Sequence, residues 1–391
     1  MSARQVVVAV VALLLAAQVV RNSVVDALAD VNPRAASRFW SRHPTVELSL
    51  GMTEIATAAR DRKPAPATAF AMIADASNKA PLAPEPFLVN GVRAQLAGQT
   101  AAAEQAFLAA ERRDPRSLAP RYFLAELYFR TAKVGRGLVE IADLVRLSPN
   151  GISGSAPYFA VYARNRANWP QLRAIFRANL DIENATLLAL ATEAANADTI
   201  LALAPREHQN AHSPWLQTLL NTLVYAGQYA KAKAIWASAS RVAASRAPLI
   251  YDPGFSRPDA PEPFNWMLTS STAGLAERQP GGRLHVIFYG EEDGLLARQL
   301  LILAPGTYRF LARALGERGQ IKAFRWSLRC ANPQSVIATI SLDQAARGSS
   351  FVVPAGCSAQ WLDLSATSAD MPQQSEVTIT GLQLVREANG G

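Results

Sequence analysis

The sequence is poor in the residues on which most catalytic and metal sites are built. It holds four His and two Cys in 391 residues. Two Cys cannot make a structural zinc site of the usual kind, which takes four Cys or His ligands. His208 and His212 stand four apart, the spacing of paired metal ligands on a helix, but no Glu-x-x-His core and no third ligand accompanies them. His43 and His285 are isolated. There is no Gly-x-Ser-x-Gly elbow and no phosphate-cradling Gly loop. The expectation is a protein without enzymatic activity, metal or cofactor.

Charge is sparse as well. Only 18% of residues are charged and 50% are hydrophobic, so large cores are possible. The length suits two or three domains. Most of the 39 Lys and Arg residues are Arg, and the formal net charge is +8. No basic run is interleaved with aromatics, as a single-strand or RNA surface would require, so nucleic acid is not an expected partner.

What is present is organised in blocks. Residues 1–22 form a targeting element: Arg4, then Val6 to Val20 broken only by Gln18, then Arg21. As a helix that run spans about 22 Å, short of a bilayer core of about 30 Å. It reads either as a secretory signal with Ala27-Leu28-Ala29 as its cleavage site, or as an uncleaved anchor. The anchor is favoured, because Arg21 and Asp26 lie between the apolar run and that site. The expected placement is a bacterial inner membrane with the bulk in the periplasm. Arg21, Arg34, Arg38 and Arg42 oppose that orientation under the positive-inside rule.

Residues 23–247 carry helical patterning, and 248–263 contain Pro248, Pro253, Pro258, Pro261 and Pro263, a stiff extended linker. Beyond it, residues 264–391 change to a period of two. Leu284 to Tyr289, Tyr308 to Arg313, Phe324 to Cys330, Val336 to Leu342, Gln360 to Leu364 and Val377 to Leu384 alternate, separated by turns such as Pro280-Gly281-Gly282 and Pro305-Gly306. Several short strands at this spacing predict an antiparallel β-sandwich. Its length and its Pro-Gly-Thr-Tyr-Arg-Phe hairpin entry resemble the jelly-roll sandwiches of bacterial carbohydrate-binding modules.

The helical block repeats. Gly91, Ala103, Phe107, Ala110 and Pro115 return 34 residues later as Ala125, Gly137, Ile141, Leu144 and Pro149. Ala69, Ile73, Ala76 and Pro81 extend the frame backwards, and Gly227, Ala232 and Trp236 extend it forwards. Small residues let paired helices approach, a large apolar fills the groove, and Pro closes the unit. Tyr158 to Leu180 is a degenerate pair, and Asn184 to Pro205 has no clear phase. The pattern over roughly 50–245 resembles the tetratricopeptide repeat family. That resemblance implies a solenoid whose first helices line a peptide-gripping concave face. Carried onto this sequence, the face holds Gln95, Tyr122, Glu126, Arg130, Arg164, Gln217, Asn221 and Tyr225. The competing reading of these residues is an ordinary polar helix surface.

Other candidates lie in the β region. Cys330 at a strand end and Cys357 in a Pro-Ala-Gly-Cys turn suit a disulfide, the alternative being two buried thiols. Glu291, Glu292 and Asp293 form either a solvated loop or a calcium site. Phe324 and Trp326 share a face with Leu328 and belong in the core. Trp266 and Trp361 are the candidates for stacking on sugar. The expected whole is a membrane helix, a helical repeat solenoid and a C-terminal β-sandwich. The leading functional expectation is an envelope scaffold that binds protein partners, possible settings being exopolysaccharide or cell-envelope assembly. The alternative is a glycan-binding protein acting through the sandwich.

Overall fold

The structure is a computed structural model, and it describes residues 3–148, 152–242, 248–371 and 373–387. The chain is helical first and β afterwards. Fourteen successive helices come first among the described residues: α1 Ala3–Ala29, α2 Pro33–Trp40, α3 Pro44–Arg60, α4 Ala67–Lys79, α5 Glu85–Leu96, α6 Thr100–Arg113, α7 Leu118–Arg130, α8 Val134–Leu147, α9 Ile152–Ala163, α10 Trp169–Ala178, α11 Leu180–Leu190, α12 Ala197–Leu203, α13 Leu216–Tyr225 and α14 Tyr229–Ala239. Two compact units divide at Ser155/Ala156.

In the first unit, α1 outruns the apolar stretch that defines it. Its 27 residues make about 40 Å of helix. It is long and apolar enough to be a membrane anchor or a signal sequence, with a mean hydropathy of 2.0 over its most apolar window. Its last turns do different work. Val25 and Ala29 are buried with Ala36 of α2 and Val46 of α3. Arg21 stacks over Trp40 at 4.0 Å and donates to the Phe39 carbonyl at 3.1 Å. The Ala27-Leu28-Ala29 sequence therefore sits in a packed helix end.

The hairpins α3–α4, α5–α6, α7–α8 and, in the second unit, α13–α14 end their first helix in the same way. Arg62, Gly98, Ala132 and Gly227 take left-handed φ values of 54°, 73°, 57° and 72°. The next residue in each case, Lys63, Gln99, Lys133 or Gln228, donates its N–H back to Ala58, Ala94, Tyr128 or Leu223 at 2.8 Å. This six-to-one bond satisfies a carbonyl that the helix end would otherwise leave bare. Gly91 of α5 lies against the Phe107 ring of α6, where an added methyl would overlap the ring. α6 stops just before Pro115; its counterpart Pro149 lies outside the described residues.

The β part is a pair of five-stranded antiparallel sheets. Its strands are β1 Met267–Leu268, β2 Gly274–Gln279, β3 Arg283–Phe288, β4 Gly294–Leu301, β5 Gly306–Leu315, β6 Phe324–Cys330, β7 Val336–Ser341, β8 Ser349–Val353, β9 Gln360–Ala366 and β10 Ser375–Arg386. One sheet runs β1-β4-β9-β6-β7 and the other β2-β3-β10-β5-β8. Leu284, Val286 and Phe288 of β3 meet Phe324, Trp326 and Leu328 of β6 in the core between them. A disulfide joins Cys330 to Cys357. Two buried amides act as backbone surrogates: Gln299 exchanges bonds with both the N–H and carbonyl of Tyr251, and Gln360 accepts from Leu303 N–H and donates to the Cys357 carbonyl. Satisfied in this way, a buried amide avoids its desolvation cost.

The Pro-rich stretch 248–263 is not the extended spacer expected. Ile250 and Phe255 belong to the sandwich core. Leu300 and Leu382 donate their N–H groups to the Pro263 and Pro253 carbonyls at 2.8 and 3.1 Å. The buried Asp252 carboxylate accepts from the Ser256 and Arg257 N–H groups at 2.7 and 3.0 Å. On the helical side, Trp236 donates to the Pro261 carbonyl at 2.8 Å and meets Tyr251 edge-on at 4.9 Å. Proline fixes φ along such a stretch, but the apolar side chains between the prolines decide whether it is buried.

Candidate functional site

Two surfaces carry the candidate residues. The first is on the helical hairpins. α7 presents Tyr122, Glu126 and Arg130 one turn apart, which places them on one face. Tyr122 is 60% exposed, large for an aromatic on a helix with so many buried neighbours. Gln95 of α5 donates to Glu126 at 3.4 Å, and Arg130 lies 3.6 Å from the same carboxylate. The stripe thus spans two successive first helices. Beneath it, α7 is fixed by Arg121, a buried guanidinium bonded to Glu111, Glu140 and Asp143 at 2.9, 3.2 and 2.8 Å.

The remaining helical candidates lie in the second unit and differ among themselves. Arg164 pairs with Glu193 at 3.3 Å on the surface. Gln217 is half-buried and divided between Asn221 and the Glu262 carbonyl, each at 3.0 Å, so packing occupies its amide nitrogen. Tyr225 is 96% exposed.

The second surface is the outer face of the sheet β1-β4-β9-β6-β7. Along β9, Leu362, Leu364 and Ala366 point into the core, so Trp361, Asp363 and Ser365 point outward. Register brings Arg298 of β4 opposite Asp363, and Arg329 of β6 opposite Trp361. Arg298 grips Asp363 with Nε to Oδ1 and Nη2 to Oδ2 at 3.1 and 3.2 Å. Arg329 reaches the same carboxylate diagonally, Nε and Nη2 to Oδ2 at 3.0 and 2.6 Å. The Arg298 guanidinium also lies over the Trp361 ring, 4.6 Å from its centroid. Asp363 is 2% exposed although it points outward, because the two arginines and the indole close over it.

The two tryptophans expected to meet sugar part company here. Trp266 is 2% exposed, packed on Phe255 and Trp326, with its indole N–H donated to the Asp252 carbonyl at 3.0 Å. It is a core residue, since burial satisfies both its ring and its donor. Trp361 is half-buried at the open face. The acidic loop before β4 is also engaged: Asp293 accepts from the Ser368 N–H and hydroxyl, and Thr272 donates to Glu292. His208 bonds to the buried Glu183 at 2.8 Å, in a short turn and not on one helix face with His212. Among the described residues, no group of three or more His, Cys, Asp or Glu is placed to hold a metal ion.

Sequence reasoning did not find Arg298, Arg329 or Asp363. The available signal was the alternation of β9. The strand opposite, β4, hides its phase, because a register shift between Leu295 and Ala297 and the core-facing Gln299 break the period of two.

No known protein-family model matches the chain, and no curated protein matches it. Among solved structures it is similar to accessory secretory proteins 1, 2 and 3 of Streptococcus pneumoniae, at 7% identity, over 31% of this chain and 90% of that one, with a TM-score of 0.24. It is also similar to the carbohydrate-binding module TmCBM61, solved in complex with beta-1,4-galactotriose, at 15% identity, over 36% of this chain and 99% of that one, with a TM-score of 0.24. At such TM-scores neither likeness bears on function.

Proposed function

We propose that the chain is a non-enzymatic envelope adaptor, held to the inner membrane by α1, that grips protein partners through its repeat helices in the manner of tetratricopeptide arrays. The observation that carries this reading is the α5/α7 stripe. Tyr122, Glu126 and Arg130 stand on one exposed face beside Gln95, and the α7 helix under them is locked by the buried Arg121 cluster. Such a surface offers an aromatic, an amide and opposite charges to an extended backbone or a terminal carboxylate. An uncleaved anchor is supported by the burial of Val25 and Ala29 against α2 and α3, since removal of residues up to Ala29 would strip that packing. Placing the bulk in the periplasm, in exopolysaccharide or cell-envelope assembly, follows from the apolar leader and from the exported character that a disulfide implies.

The test is capture from host membranes with the full-length protein. Tyr122→Ala together with Arg130→Ala should strip the protein partners while leaving melting behaviour unchanged. Retention of the same partners by the double variant refutes the adaptor reading. An alkaline phosphatase fused after Gly391 should be active, and an inactive fusion refutes the export. A second reading, glycan binding by the sandwich, is favoured by the outward, half-buried Trp361 beside two fixed arginines.

A further inference from the structure

The outer face of β4, β9 and β6 has a charge balance that the fold itself does not need. Its outward positions bring together Arg298, Arg325 and Arg329, and their one carboxylate partner on these strands is Asp363. One carboxylate cannot neutralise three guanidiniums. Arg325 bonds instead to the Thr367 hydroxyl, and among the described residues no carboxylate pairs with it. Arg298 and Arg329 each spend Nε and Nη2 on Asp363. Among the described residues, Nη1 of neither has a hydrogen-bond partner. Asp363 therefore holds two forks in fixed orientation without quenching them, the condition under which an arginine recognises a planar anion at low entropic cost. Half-buried Trp361 lies between them, one ring face under Arg298. Its indole N–H also lacks a partner among the described residues.

We propose that this face binds the carboxylate of a uronate-type sugar in an acidic polysaccharide. The inference rests on the glycan-binding reading and names the class of glycan. A uronate presents a carboxylate and an apolar ring edge in one rigid unit. That combination matches fixed guanidiniums flanking a half-exposed indole. Ser327 and Ser365, outward on the neighbouring positions of β6 and β9, supply hydroxyls suited to sugar hydroxyls. An acidic peptide would satisfy the charge, but it would make no use of the ring beside it. Peptides also join sheets along an edge, whereas β9 is the central strand of its sheet, with β4 and β6 paired on either side.

The experiment uses the full chain in detergent micelles, with a galacturonate hexamer as probe and tryptophan fluorescence or calorimetry as readout. The hexamer should bind, and weaken as salt rises. Arg298→Gln and Arg329→Gln should each weaken it by about tenfold. Arg329→Lys should recover only part of the loss, because a point charge replaces a fork. Ser365→Glu leaves the Arg–Asp cluster intact and adds a carboxylate to the face, so it should weaken the hexamer comparably even if the arginine variants fold poorly. Three controls can overturn the inference. Equal binding of the neutral hexamer with its carboxyls reduced to alcohols leaves glycan binding standing and removes the uronate. Equal or tighter binding of a poly-glutamate peptide reassigns the face to acidic proteins. No binding of either hexamer ends both the inference and the glycan reading.

Discussion

The two units of the molecule set buried charge against opposite imbalances. In the helical unit one guanidinium, Arg121, faces three carboxylates, Glu111, Glu140 and Asp143. In the sandwich one carboxylate, Asp363, faces two guanidiniums. The first cluster is closed: Arg121 is 7% exposed, and its excess is negative. Its strain is relieved by protonation, with the Glu140 carboxyl pushed up to about 7 by burial and by the neighbouring Glu111. The second is open, because its arginines retain a quarter to a third of their exposure, and its excess is positive. Arginine cannot shed its proton, so that excess persists at every working pH and is available to an anion. A cluster that titrates internally serves the fold, whereas one that cannot titrate presents its charge outward.

The largest expected effect tests the closed cluster. Arg121→Met leaves Glu111 and Glu140 without their cation and Asp143 with Arg146 alone, and should cost about 3–5 kcal/mol at pH 7.5. Thermal unfolding followed by helical signal should show a smaller loss near pH 5, where protonation relieves the repulsion. A pH-independent loss would mean that the cost is packing alone.

Asp363→Asn should cost less, about 1–2 kcal/mol, because water reaches the arginines it releases. The same variant should loosen Arg298 and Arg329 and weaken any anion bound there. Stability lost without a change in anion affinity would reduce the cluster to a structural one.

Glu140→Gln separates the two clusters by pH. The folded pKa of Glu140 is raised from 4.5 to about 7, so its stabilising contribution is complete below about 4.5 and is lost as pH rises through about 7. The melting temperature of the Gln variant relative to the native protein should therefore climb from pH 4.5 to pH 8. A constant difference across that range would show that Glu140 ionises normally.

The smallest effect concerns the hairpin turns. Ala132 holds the left-handed position that Gly98 holds one repeat earlier. Ala132→Gly relieves roughly 1–2 kcal/mol of strain but adds unfolded-state freedom, leaving a net gain below about 1 kcal/mol. A loss on chemical denaturation would show that the Ala132 turn is not held by the strain its φ implies.

The helical pairs from Ala69 to Arg146, and the sandwich strands β3, β5, β6, β7, β9 and β10, were legible because their signals are local. Gly98 and Gly227 announce a turn, and a period of two announces a half-buried strand. Arg62 and Ala132 adopt the same turn without announcing it, because the packing of the hairpin imposes the conformation on whatever residue falls there. β2, β4 and β8 were missed: β4 carries a register shift, and alternation alone did not mark the other two. That Tyr122, Glu126 and Arg130 share one face follows from helical spacing, whereas a partner-binding role for that face is only what the repeat resemblance implies.

The sequence by itself determined the order of the blocks, the apolar leader and the repeat spacing. Each depends on residues within a few turns or strand positions of one another. Tertiary structure decided what a one-dimensional pattern cannot carry. It buried Trp266 beneath the Pro-rich stretch and folded that stretch onto the sandwich. It also brought Arg298, Arg329 and Asp363 together from three strands. Contacts between residues 34 or 65 positions apart follow from strand order and register, and those are settled only when the whole sheet closes over its core.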